Sequence, residues 1–333
     1  MDISKLNQTL IEEPIFRLKQ AKRAVFVNLV DNWDQTTNFS KKLRDELNKN
    51  CPISIKAEFL KSIKSDSLKA LITLSDGLKI ETVLLSHGVG RNTICLSSQV
   101  GCAIGCSFCA TGKRGFKRNL TAEEMIEQII LFARLLKKRN QRVNNVVFMG
   151  MGEPFLNYDN VLKTIKILNN KDYFNIGARH ISISTIGIID GIKKLATQSL
   201  QINLAISLHA PNNNLRAQII PINKQYPLDK IINAINYYIN KTNRRVMIEY
   251  VMIKDFNDSV EQARQLIELL KQISKPLYFV NLIFCNSITE FKPSEKDKIK
   301  QFREILVKQK IETTLRYSFG QDIQAACGQL IGS

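Results

Sequence analysis

The chain has 333 residues, with 48 Lys and Arg against 30 Asp and Glu, a net charge of +18 and an isoelectric point of about 9.6. A hydrophobic fraction of 44% beside 23% charged residues is that of a folded globular protein and excludes disorder, and no apolar run reaches the roughly 20 residues that cross a membrane. The positive excess produces a field that attracts polyanions, so nucleic acid is the leading partner, with a merely Lys-rich composition as the competing reading.

A single core usually takes roughly 100 to 200 residues unless it is an α/β barrel, so one barrel plus a small accessory domain fits this length. The N-terminal stretch MDISKLNQTLIEEP has neither a basic start nor an apolar core segment, which predicts a cytoplasmic protein. Seven cysteines, an odd number in a large chain, predict a reducing compartment with metal or redox use rather than a disulfide framework.

In chain order, residues 1 to about 66 read as helical and polar, with apolar residues at helical spacing in Ile15 to Leu29 and Phe39 to Leu47. Their basic residues, among them Arg17, Lys22, Arg23 and Arg44, are either an RNA contact or a solvated face. Around Leu68 the period changes to two, and Ser75-Asp76-Gly77 between two apolar runs predicts a hairpin. Residues 1–90 are therefore expected to form an accessory domain of helices and a hairpin, and residues 91–333 a barrel domain.

From Thr93 onward strand and helix alternate. Strands are predicted at Thr93 to Ser98, Asn145 to Gly150, His180 to Thr185, Gln201 to Ser207, Val246 to Met252 and Tyr278 to Phe284. Helices are predicted at Thr121 to Arg139, Tyr158 to Asn169, Gly191 to Gln198, Leu228 to Asn240, Ser259 to Ile273 and Ser294 to Gln309. Continuous apolar strands alternating with helices imply parallel strands buried on both faces, so the fold class is α/β, a partial (β/α)6 barrel. Ligands gather at the carboxyl ends of such strands. There this chain places Gln99 to Cys109, Gly150 to Pro154, Ser184-Thr185, Ser207-Leu208-His209 and Cys285-Asn286.

The loop Gly101-Cys-Ala-Ile-Gly-Cys-Ser-Phe-Cys109 sets Cys102, Cys106 and Cys109 at C-x3-C-x2-C. Three thiolates within one short loop suit an iron–sulfur cluster, whereas structural zinc needs four ligands. A cubane held by three cysteines keeps one iron open, which is how a metal centre acquires chemistry. Lys113, Arg114, Lys117 and Arg118 follow, so positive charge accompanies the loop. Gly152 and Glu153 after the second strand offer close backbone approach and an acceptor for an ammonium group. Ser184, Ser207 and His209 stand where a carboxylate or ribose would bind, although a serine at a strand end also serves as a helix cap. Asn286 is either an adenine-edge reader or a turn residue. Read from the residues alone, Cys95 is a buried strand residue, Cys327 a tail thiol and Glu81 a strand carboxylate facing solvent.

C-x3-C-x2-C with Phe108 before its last cysteine resembles the signature of radical S-adenosylmethionine (radical SAM) enzymes. The segments Arg91 to Cys102, Gly115 to Thr121, Phe148 to Pro154, Ile183 to Gly187, Ala205 to Pro211 and Ala325 to Leu330 together resemble the radical SAM adenine methyltransferases of RNA. That resemblance covers about residue 80 to the C-terminus and is only loose over the first 66 residues. It implies methylation of carbon 2 of an adenine in 23S rRNA and, in some members, of the adenine beside the tRNA anticodon. Gly152-Glu153-Pro154 favours that branch over the sister enzymes of carbon 8, which confer antibiotic resistance and carry Ala after the Glu.

The same resemblance implies a 4Fe-4S cluster on Cys102, Cys106 and Cys109, and SAM contacts from Gly152, Glu153, Ser184, Ser207, Leu208, His209 and Asn286. It implies two SAM per turnover. One methylates Cys327, the other yields a deoxyadenosyl radical that activates the S-methyl group, and Cys95 closes a disulfide that releases the product. Glu81 matches a carboxylate read in the family as proton acceptor. Expected partners are 23S rRNA, tRNA and an electron donor of the flavodoxin type, with no membrane and a monomeric chain. Two alternatives stand beside this reading: the carbon 8 enzyme, and a non-catalytic RNA-binding protein with a structural cluster. Asn286-Ser287 replaces the family's Asn-Pro, which puts the shape of that loop in question.

Overall fold

The computed structural model describes residues 3–88, 90–286, 291–316 and 319–332. Helices α1 (Ile3–Thr9), α2 (Ile15–Phe26) and α3 (Lys41–Asn50) open the chain. Ser40 caps α3 by accepting from the Leu43 amide, and Leu43 and Leu47 turn inward beside Trp33 and Phe39. The buried Trp33 indole donates to the Cys51 carbonyl at 2.8 Å, so Cys51 belongs to this small core. Arg17 lies over the rings of Phe16 and Phe39, and Arg44 donates to the Asp34 carbonyl; both brace the helices.

Next come β1 (Ala57–Lys61), β2 (Ser67–Thr73), β3 (Lys79–His87) and β4 (Arg91–Cys95), an antiparallel run. The expected hairpin is β2–β3, its turn tightened by the Asp76 carboxylate accepting from the Leu78 amide. Strand β1 lies in a stretch expected to be helical; it is an exposed edge strand and buries no alternating apolar face that its sequence could announce. Strand β4 pairs antiparallel with β3 and parallel with the strand at Asn145–Phe148, so hairpin and barrel share one sheet.

The cysteine loop lies between β5 (Gln99–Gly101) and α4 (Ala110–Lys113), and β6 (Phe116–Asn119) returns to pair with β5. Then follow α5 (Ala122–Lys137), β7 (Asn145–Phe148), α6 (Tyr158–Asn169), β8 (Ile181–Thr185), α7 (Ile189–Ala196) and β9 (Asn203–Ser207). The chain continues through α8 (Asn213–Ile219), α9 (Leu228–Thr242), β10 (Val246–Met252), α10 (Val260–Leu270), β11 (Tyr278–Phe284), α11 (Lys296–Lys308) and β12 (Thr313–Arg316). Capping boxes at Thr121/Glu124 and Ser259/Gln262 start α5 and α10.

The sheet has ten strands in the order β1-β2-β3-β4-β7-β8-β9-β10-β11-β12, and the run from β4 to β12 is parallel throughout. Ile183, Leu204, Ile206, Ile248 and Leu282 are buried on these strands, as a sheet covered on both faces requires. All six predicted α/β strands are present; β12 is a further parallel strand, too short and too polar to read from sequence. Among the described residues strands β4 and β12 are not paired, so the barrel is open on that side. Among the described residues no helix is long and apolar enough to cross a membrane.

Candidate active site

The carboxyl ends of the parallel strands surround a cavity of about 600 Å³. Cys102, Cys106 and Cys109 face it from the loop after β5. Gly101 makes that loop possible: at φ +75° its Cα lies against Gly115, whose carbonyl oxygen would stand 1.8 Å from any Cβ. The Cys102 amide donates to the same carbonyl. Phe108 sets its ring edge-on to His209, 5.0 Å between centroids.

The thiols fit a cluster by their chemistry. Burial first, then the charge of the neighbouring cysteines, pushes Cys106 well above the usual thiol range, and burial pushes Cys102 up to about 12. Three crowded thiols ionise together only when a cation compensates, and iron does that. Among the described residues no three His, Cys, Asp or Glu converge on a point that would hold a single ion. Cys102, Cys106 and Cys109 line one cavity, as three protein ligands of a single cluster would.

Glu153 ends the loop after β7. Its carboxylate accepts from the Phe155 amide at 3.0 Å and the Ile186 amide at 2.8 Å, while its own amide donates to Gln99 at 2.9 Å. Burial lifts its pKa to about 7 despite those donors. Gly152, at φ +95°, presses against Gln99, whose Cβ would lie 2.5 Å from a side chain there. A buried carboxylate with both oxygens aimed by backbone is a fixed anchor for an ammonium group. Glu153→Gln is expected to weaken SAM binding by roughly 10- to 150-fold, the value of a charge-assisted hydrogen bond of about 1.5–3 kcal/mol, in equilibrium binding to the reconstituted protein.

Ser184 Oγ and Ser207 Oγ lie 3.2 Å apart on β8 and β9 at the cavity wall. His209, at φ 62°, accepts through Nδ1 from the Val251 amide at 3.1 Å, which places its proton on Nε2. Burial and the Arg216 charge push its pKa down to about 3, so the ring is neutral. Leu208 is fully buried in the core and does not line the cavity; its amide donates to the Glu249 carbonyl and its carbonyl accepts from Arg216. Asn286 lines the cavity, but its side chain is engaged with the C-terminal tail: Nδ2 donates to the Cys327 carbonyl at 2.9 Å and Oδ1 accepts from Gln321 at 2.7 Å. Ser287 lies outside the described residues.

The two outlying thiols meet here. Cys95 ends β4 and Cys327 sits on the tail, and both line the cavity. Burial, then the nearby Cys327 charge, pushes Cys95 up to about 12; Cys327, exposed on the tail, is raised as well, by desolvation first, with the Arg316 charge lowering it and the Cys109 charge raising it. Cys327 thus stands within electrostatic range of Cys95 and of a cluster thiol. Cys95, Cys102, Cys106, Cys109, Cys327 and the buried cavity residue Cys285 are free thiols in this structure.

Glu81 is buried rather than facing solvent, and the cavity wall does not include it. One carboxylate oxygen pairs with the buried Lys69 at 2.8 Å and the other accepts from the Ile331 amide at 2.6 Å. Lys69 also donates to the Gln324 carbonyl at 3.4 Å. The pair grips the tail on both sides of Cys327. The Gly328 and Leu330 carbonyls accept from the Ala110 amide and Thr111 hydroxyl, which ties the tail to the helix after the cysteine loop.

Three further residues lay outside the sequence reading. Arg216, fully buried, donates to carbonyls of Leu208 and Tyr226 and to Asn223, stapling the loops after β9 and α8. Glu249 and Arg316 stand in the cavity wall. A lone carboxylate inside the apolar run Val246 to Met252 was a legible signal for Glu249. Of the basic residues after the cysteine loop, Arg118 is absorbed by Asp76 and, with both terminal nitrogens, by Glu124.

The sequence profile of the Radical SAM superfamily matches residues 96–269. A probable dual-specificity RNA methyltransferase RlmN from Dictyoglomus turgidum is 48% identical over 320 residues, spanning 96% of this chain and 91% of that protein. One from Pseudothermotoga lettingae is 46% identical over 331 residues, 98% of this chain and 94% of the relative. A crystal structure of a radical SAM methyltransferase from Sphaerobacter thermophilus superimposes with a TM-score of 0.94 at 39% identity, covering 100% of this chain and 98% of that one.

Proposed function

This chain belongs to the radical SAM superfamily and, within it, to the dual-specificity RNA methyltransferases, and we propose that it methylates carbon 2 of one adenine in 23S rRNA and of the adenine beside the tRNA anticodon. The observation that carries the two-thiol reading is the placement of Cys95 and Cys327, far apart in sequence, on the same cavity as the three cluster cysteines.

When bound, the 4Fe-4S cluster and SAM supply the methyl group and a one-electron route to activate it. The residues do the rest. Cys102, Cys106 and Cys109 hold the cluster. Glu153, fixed by two amides, orients the SAM ammonium, with Gly152 allowing close approach. Ser184 and Ser207 offer hydroxyls beside it, and neutral His209 donates through Nε2. Leu208 supports this wall from the core, and Asn286 holds the backbone of Cys327 in place. Cys327 carries the methyl group and Cys95 is the second thiol that frees the product by disulfide formation. Glu81 enters the site through the tail it grips. Carbon 2 of adenine has no acidic proton, which is why a thiol pair and a radical route are needed where direct displacement fails.

The target base has to leave its stack to reach this depth. An electron donor of the flavodoxin type and a monomeric chain complete the reading, with residues 1–90 as an accessory unit for RNA.

The test is nucleoside mass spectrometry of rRNA and tRNA after anaerobic incubation with reconstituted protein, SAM and reductant. 2-Methyladenosine in both RNAs is the expected result; 8-methyladenosine would move the protein to the resistance branch, and neither product with SAM cleaved would overturn the substrate assignment. RNA affinity should fall steeply with salt, by about 10³-fold between 50 and 200 mM if about six phosphates are neutralised. A flat titration would remove the electrostatic argument.

A further inference from the structure

The cysteine loop turns its three thiols to the cavity, and its backbone rests on the segment that links α4 to β6. Residues 112–115 of that segment meet the backbone of all three cysteines. The Gly112 amide donates to the Cys109 carbonyl at 3.1 Å, the Cys102 amide donates to the Gly115 carbonyl at 3.0 Å, and a Cβ at Gly112 would stand 3.0 Å from the Cys106 nitrogen. Cys109 precedes α4 and Lys113 ends it, a rise of about 6 Å along a helix. Lys113, Arg114, Gly115, Phe116 and Lys117 are exposed in unbroken succession, and none of them lines the cavity.

The charge of this patch is uncommitted. Among the described residues Lys113, Arg114 and Lys117 form no ion pair, while Arg118 beside them is taken up by Asp76 and Glu124. Arg114 makes one long contact, to the Gly332 carbonyl at 3.4 Å. Phe116, 44% exposed, puts an aromatic ring among the three cations. Aromatic and Arg side chains are enriched at protein contacts, like-signed charge steers the encounter with an oppositely charged partner, and redox partners meet through small, short-lived interfaces.

On charge alone two acidic partners suit the patch: the RNA, and the protein that reduces the cluster. Position separates them. The target base has to enter the cavity to reach Cys95 and Cys327, and the patch lies outside the cavity lining. An electron has to reach the cluster while SAM and a base fill the cavity, so its way in crosses the outer side of the cysteine loop, where residues 112–115 touch every ligand's backbone.

We infer that Lys113, Arg114, Phe116 and Lys117 form the docking surface for an acidic one-electron carrier protein of the flavodoxin type. The inference rests on the radical SAM reading of the site, and which carbon of the base is methylated does not enter it. In the step the reduced flavin gives up one electron, the cluster gains it, and no bond forms or breaks at the patch.

The experiment compares wild type, the triple variant Lys113→Glu/Arg114→Glu/Lys117→Glu and the milder Lys113→Ala/Lys117→Ala, which keeps the Arg114 contact. A third variant, Lys296→Glu/Lys300→Glu/Lys308→Glu, makes the same change of charge on exposed residues of α11. Each is reconstituted anaerobically, with melting temperature and cluster absorbance as the check on folding. Four quantities are read: binding of oxidised flavodoxin by flavin fluorescence, bleaching of the cluster absorbance by reduced flavodoxin, bleaching by dithionite, and rRNA affinity. Dithionite is small and needs no docking surface.

At low salt the triple variant should be reduced by flavodoxin about 10- to 10³-fold more slowly than wild type, the span of electrostatic steering, and should bind it correspondingly more weakly. The difference should shrink as salt screens the patch. The alanine variant should lose less, and the α11 variant should stay near wild type. Bleaching by dithionite and rRNA affinity should stay within about twofold of wild type, against that 10-fold or larger effect. Wild-type reduction of the triple variant by flavodoxin would overturn the inference. So would an equal loss with dithionite, which would place the damage in the cluster itself, or an equal loss in the α11 variant, which would reduce the effect to net charge. Loss of rRNA affinity with flavodoxin reduction intact would overturn it too, and make the patch an RNA contact. A wild type that holds no cluster reducible by dithionite would count against the radical SAM reading instead.

Discussion

Cys327→Ala should abolish methyl transfer to RNA, by on the order of 10⁴-fold or more, as loss of an obligate nucleophile does, while leaving cluster and RNA affinity intact. Cys327 is not among the three cluster cysteines, and its tail is held chiefly by backbone contacts that alanine keeps: the Cys327 carbonyl to Asn286, the Gly328 carbonyl to Ala110 and the Leu330 carbonyl to Thr111. The loss is therefore of one sulfur, not of the tail. Incubated with SAM and RNA, the variant should show no S-methylated protein and no methylated adenosine, with the iron–sulfur absorbance of wild type. Methylation at the wild-type rate would remove the two-thiol mechanism altogether. Cys95→Ala makes a useful contrast. If Cys95 serves only to release product, Cys327 should still be methylated in that variant, and the defect should appear afterwards as RNA held on the protein.

Much of this was legible in the chain because local signals and fold agreed. Six apolar runs became parallel strands in the expected order, and the polar groups after them met at one mouth. What stayed hidden depends on contacts between distant residues. Nothing near Glu81 in sequence reveals Lys69 on the neighbouring strand, 2.8 Å away, or an amide from residue 331. Asn286 reads as a free strand-end side chain until the tail arrives to occupy both its polar atoms. Strand β12 places Arg316, yet Thr313–Arg316 offers only four residues without alternation. Leu208 lies in a motif between two cavity residues but faces the core, since neighbours along the chain turn to opposite sides.

Glu81→Ala should cost about 3–5 kcal/mol, because it leaves the buried Lys69 ammonium without its counter-charge. Lys69 and Glu81 side chains are 5% and 4% exposed, so water does not replace the lost partner. The same change releases the Ile331 amide, and with it one of the two grips on the segment carrying Cys327. Stability and function can then be separated by removing both charges. Lys69→Met with Glu81→Leu takes the unpaired charge away, and apolar replacement of a buried pair is often neutral or stabilising, so most of the melting-temperature loss should return. Cys327 methylation should not return, since neither apolar side chain can hold the Gln324 carbonyl or the Ile331 amide. A proton-accepting Glu81 predicts a different pattern: with either variant folded, Cys327 would be methylated normally and the reaction would stall only once RNA is attached. Intact-mass measurement of S-methylated Cys327 in the double variant separates the two, because a tail-holding pair acts before that methyl group arrives and a proton acceptor acts after it.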